Sequence, residues 1–127
     1  MVALGVADSE IQKAGNDLGL AAEQQDLERL WGAADGLAKL IEMIEPNIDR
    51  IADYPATIEL AASYRKAFPD MLAGSKLLRD SITGGDPDGV TAGSVQLARG
   101  LEAYRATRAL LGPLAEQALL MKRLLVQ

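Results

Sequence analysis

Ser81-Ile-Thr-Gly-Gly-Asp-Pro-Asp-Gly-Val-Thr91 decides how this chain divides. Gly84, Gly85, Pro87 and Gly89 punctuate it, and Asp86 and Asp88 lie two positions apart. The stretch can be read as a calcium loop, a phosphate cradle or a turn between helices. With Gly89 at the sixth place of an EF-hand-like loop, the first place falls on Gly84 and the twelfth on Val95, so only Asp86 and Asp88 remain as ligands. Gly84-Gly85 could form an anion nest, but no P-loop Lys-Ser/Thr follows and the two carboxylates repel phosphate. The third reading needs no missing parts. The glycines end one helix, Asp86 caps the next, and Pro87 takes its first turn beside Asp88 at the positive helix end.

Helical spacing continues on both sides of this turn. Upstream, Ile58, Ala61, Arg65, Phe68, Leu72, Ser75, Leu78 and Ile82 keep one phase across Pro69, which is expected to kink or split the segment. Downstream, Val90, Leu97, Leu101, Tyr104, Leu111, Leu114, Ala118, Met121 and Leu125 keep another, with Gly112-Pro113 as an expected kink or joint. Earlier in the chain, Ile11, Ala14, Leu18 and Ala22 are followed by Leu27, Leu30, Trp31, Ala34, Leu37, Ala38, Ile41 and Ile44. Ser9 and Gln12 fit a capping box. Glu23-Gln-Gln-Asp26 is either a break or the polar face of one long helix, and Asn47–Tyr54, bracketed by Pro46 and Pro55, reads as a connector with one or two helical turns. No strand-like alternation occurs. Residues 1–127 are therefore expected to form one all-α domain, an antiparallel up-and-down bundle of four helices, with three long kinked helices as the alternative.

Composition agrees and narrows the chemistry. The 49% apolar share is mostly Ala and Leu, which enter helices at little cost. The chain has no Cys and no His. Thiolate ligands, disulfides, His-containing triads and the Glu-x-x-His metal sites of bundle proteins are thereby excluded. Glu42 and Glu45 share a helix face, but without a histidine or a second pair they read as a solvated face, so no metal or cofactor is expected. Ser63-Tyr-Arg-Lys66 spells Ser-x-x-Lys without the companion elements its chemistry requires.

The net charge of −5 is divided unevenly: residues 1–60 hold twelve Asp/Glu and four Lys/Arg, and residues 61–127 hold six and nine. Early helices are expected to pack beside later ones of complementary charge. No basic run carries interleaved aromatics, which argues against nucleic acid, and no window is apolar enough for a membrane span. MVALGVADSE lacks the features of a secretory signal, as expected of a cytoplasmic chain or an excised extracytoplasmic domain.

Candidate functional residues follow from what is out of place in a plain bundle. Gly32, Gly36, Gly93 and Gly100 lie inside helical segments, each costing about 1 kcal/mol against Ala. Either they let helices approach closely or they open space for a ligand. In the second case Trp31, Tyr64 and Tyr104 line the space and Arg65, Arg105 or Arg108 meets an anionic group. The alternative role of Arg108 is an ion pair with the acidic first helix. Leu119, Leu120 and Leu124 lie off the inward stripe of the last helix, marking either a central helix or a surface for a homodimer or helical partner. The leading expectation is a non-enzymatic bundle that binds a small, anionic or aromatic, ligand between helices or a partner along an apolar face. The alternatives are an assembly bundle with no small-molecule site, and an enzyme working with carboxylates, Arg and Tyr alone.

Overall fold

A computed structural model describes the backbone of residues 2–126 and the side chains of residues 4–114. It contains α1 (Val2–Glu23), α2 (Leu27–Ile51), α3 (Ile58–Gly84) and α4 (Pro87–Val126), with no strand among the described residues. The expected all-α bundle is present, with four helices. Each helix packs on its chain neighbour, and α4 closes the ring against α1. The α3–α4 seam is the most extensive and the α1–α4 seam the slightest.

Two of the three turns use the same device. After α3, Gly85 adopts φ 65°, its N–H donates to Ile82 O at 3.2 Å, and the Asp86 N–H donates to Ser81 O at 2.9 Å. This is a Schellman motif, and Pro87 opens α4 directly after it, as the reading of Ser81–Thr91 predicted. After α1, Gln25 N–H donates to Ala22 O at 3.2 Å and Asp26 N–H to Ala21 O at 3.0 Å, with Gln25 at φ 52°. The open question at Glu23–Asp26 is thus answered by a break. Asp26 then caps α2 by accepting the Arg29 N–H at 3.1 Å.

Two boundaries differ from expectation. Helix α1 begins at Val2, so Ser9 is interior rather than an N-cap, its hydroxyl turned back to Gly5 O at 3.5 Å. Buried Leu4 and Ala7 extend the Ile11 stripe N-terminally and carry the helix with it. Helix α2 continues through Pro46 to Ile51, so the expected connector shrinks to residues 52–57. Neither α3 nor α4 is split at its internal proline, Pro69 or Pro113. A proline removes one backbone bond, but buried side chains lie on both sides of Pro46 (Ile44, Ile48) and of Pro69 (Phe68, Met71). Their burial, about 1.5–3 kcal/mol each, outweighs that loss. The buried face of α3 is also rotated from the expected phase: Tyr64 and Met71 are inside, while Ile58 and Arg65 face out.

The α3–α4 seam explains three glycines. Buried positions on α4 run Gly93, Leu97, Gly100, Tyr104, Thr107, Leu111, alternating steps of four and three. That is the spacing of helices packed nearly parallel to one another. A Cβ on Gly74 would lie 2.5 Å from Leu97 N, one on Gly93 2.6 Å from Leu78 N, and one on Gly100 2.6 Å from Met71 N. Backbone meets backbone there. Gly32 and Gly36 differ, since a Cβ on either meets nothing.

The charge split is also realised. Asp35, Glu42 and Asp49, seven apart on α2, reach α3 at Arg79 (3.1 Å), Lys76 (2.8 Å) and Arg65 (3.1 Å). Such exposed pairs set register more than stability. Asp35 is the exception in its surroundings. Bonded to Lys39 and, against the opposing effect of desolvation, to Arg79, its carboxyl is held below the ordinary value.

Candidate functional site

Three rings fill the core near the α2–α3 end. Tyr64 meets Phe68 edge-on with centroids 5.0 Å apart, and Tyr104 lies 6.2 Å from both. All three are buried. Tyr64 and Tyr104 are therefore brought together as expected, packed against one another in the core, with Tyr64 also at the wall of a groove that it shares with Arg65.

Their hydroxyls point toward a polar knot. Tyr104 Oη donates to Asp8 Oδ1 at 2.7 Å, and Gln12 Nε2 donates to Asp8 Oδ2 at 2.7 Å. Arg108 Nε lies 3.5 Å from Asp8 Oδ1. Arg108 thus meets the first helix, the alternative foreseen for it. Burial first, and the Asp8 carboxylate beyond it, push both tyrosines well above the ordinary phenol value, and the hydrogen bond to Asp8 adds to this for Tyr104. Among the described residues Tyr64 Oη has no hydrogen-bond partner.

The remaining candidates are scattered. Trp31 is 38% exposed and sits at the opposite end, its Nε1 donating to Thr83 Oγ1 at 3.0 Å. It does not join the tyrosines. Arg65 pairs with Asp49 and Arg105 with Glu102, both on the surface. The side chains of Leu119, Leu120 and Leu124 lie outside the described residues. Glu42 is engaged with Lys76, and among the described residues no group of three acidic side chains gathers to hold a metal.

Space between helices occurs over Gly32 and Gly36 and beside Tyr64 and Arg65, which the sequence singled out, and along the α1–α4 seam, which it did not. A groove of about 270 Å³ runs along the α1–α4 seam. Gly15, Leu18, Gly19 and Ala22 form one wall, Leu97, Ala98 and Leu101 the other, and Leu30 and Leu78 the floor. Ser94 supplies the one polar side chain among its described lining residues. A groove of about 360 Å³ between α1 and α2, over Gly32 and Gly36, is rimmed by Glu10, Lys13, Asp17 and Lys39. A third, about 210 Å³, lies beside Arg65 and Pro69 between Glu45 and Asp49. The available signal for the first was the four-residue spacing of small side chains, Gly15 with Gly19 and Ser94 with Ala98.

The geometry defines an all-α, up-and-down four-helix bundle with a slight α1–α4 seam. Comparison with protein-family models, curated proteins and solved structures finds no significant match to this chain.

Proposed function

We propose that this chain is a non-catalytic binding bundle whose ligand is small and apolar, held in the groove between α1 and α4. The observation carrying this reading is the groove's wall: small side chains on both helices leave the space between them unfilled, and Ser94 is the one polar side chain among its described lining residues. The grooves over Gly32 and beside Arg65 are rimmed by charges of both signs and suit water better. Absence of His and Cys from the whole chain leaves carboxylates, Lys, Arg, Tyr, Ser and Thr for any chemistry. The two least exposed carboxylates in the ion pairs are already committed, Asp8 to Tyr104, Gln12 and Arg108, and Asp35 to Lys39 and Arg79.

The test is titration with the neutral fluorescent probe N-phenylnaphthylamine. The proposal expects saturable binding, abolished by Ala98→Phe, which fills the groove, with helical circular dichroism unchanged. No saturable binding, or equal binding by the variant, counts against it.

A second reading, assembly through the end of α4, rests on helix length. Gly93 against Leu78 and Gly100 against Met71 bring Ile58, the start of α3, level with Pro113, and α4 continues to Val126. That extension carries Leu119, Leu120 and Leu124. Sedimentation of the chain and of a Leu119→Lys, Leu120→Lys variant tests it: a dimer reduced to monomer supports assembly, and a monomeric parent chain removes it.

A further inference from the structure

We infer that α1 is a hinged helix, latched to α4 by Asp8 and able to swing about the Gln24–Asp26 turn to uncover the bundle's apolar interior. Three independent observations carry this. First, among the described residues the α1–α4 seam is the slightest of the four, and its half nearest the turn is open as the groove lined by Leu18, Leu97 and Leu101. Second, the polar closure of that seam converges on one side chain: Asp8 accepts from Tyr104 Oη and lies against Arg108 Nε, both on α4. Among the described residues the other early–late ion pairs bind α2 to α3, so α1 is held by its apolar packing and by Asp8. Third, the turn at the base of α1 holds Gln25 at φ 52°, a conformation that glycine takes readily and glutamine at a cost. Straightening or reopening that turn relieves the cost, so the strain favours movement there.

The opened state keeps the α3–α4 pair intact, because glycine-mediated backbone contact holds it independently of α1. What it exposes is the apolar face that α1 covers, including Leu30, Leu78 and Leu97. The inference concerns the chain alone and holds whatever the groove takes up.

Native-state hydrogen exchange tests it on the whole chain. Amides of α1 are expected to exchange faster than those of α3 through a partial opening. Asp8→Ala should accelerate α1 amides by a further tenfold, roughly what losing a buried acceptor for charged and hydroxyl donors implies, with α3 amides unmoved. Asp49→Asn, which cuts an α2–α3 pair, should leave α1 unchanged. Should Asp8→Ala fail to fold, Tyr104→Phe removes one latch contact and should accelerate α1 selectively in the same way. Equal protection of α1 and α3 in the unaltered chain overturns the inference, as does uniform acceleration of all helices by either latch variant.

Discussion

Tyr104 Oη donates a 2.7 Å hydrogen bond to Asp8 Oδ1 across 96 positions of sequence, joining the last helix to the first at the least extensive seam of the bundle. A hydroxyl bonded to a carboxylate in a mostly buried setting contributes more than a neutral pair. Tyr104→Phe is expected to lower stability by about 1–2 kcal/mol. A double-mutant cycle with Asp8→Ala, read by denaturant unfolding, should give a coupling of about 1 kcal/mol between the two sites. Additive effects would mean that the bond contributes nothing net.

The glycines divide into two groups with opposite expected behaviour. Alanine at Gly74, Gly93 or Gly100 places a methyl within 2.6 Å of facing backbone, so each change should cost about 2 kcal/mol or more despite the better helix propensity. Alanine at Gly32 or Gly36 meets open space and should stabilise by up to about 1 kcal/mol. Thermal unfolding of the single variants separates the groups by sign.

Gln25→Gly retains the Schellman turn already built with Gly85 and removes the left-handed strain at φ 52°. A gain of about 1 kcal/mol is expected, or a midpoint raised by roughly 3–6 °C. An unchanged or lowered midpoint would show that the turn stores no strain.

Tyr64 and Tyr104 set the alkaline limit. Burial raises both phenols above their unfolded value near 10, so the folded state keeps its protons where the unfolded state loses them. Their contribution is complete below about pH 10 and declines as pH rises beyond it, by about 1.4 kcal/mol per pH unit for each ring. In a Tyr54→Phe background, tyrosinate absorbance should appear together with loss of helical signal. Ionisation while the helices persist would contradict the buried placement.

Much of the fold was legible because its determinants are local. Gly85-Asp86-Pro87 names a turn through backbone conformation and capping alone, and helical spacing needs only neighbours along one chain. The prolines misled because their effect depends on tertiary context: Ile44 and Ile48 hold α2 together around Pro46, and no local rule registers that burial. Charge division foretold the α2–α3 pairs and Arg108 with Asp8. The site was less legible. Trp31, Tyr64 and Tyr104 share chemistry but not a level in the bundle, and level depends on turn positions and interhelix register. The α1–α4 groove is made of residues with no chemistry of their own. Gly15, Gly19 and Ala98 matter only through what faces them.

The account rests most on that groove taking an apolar molecule. Methyl-resolved NMR during titration with N-phenylnaphthylamine tests it directly. The account predicts saturable shifts confined to Leu18, Leu30, Leu78, Leu97 and Leu101, with Leu37 and Met71 in the closed core unmoved. Shifts absent from the groove leucines, or spread evenly through the core, would contradict it.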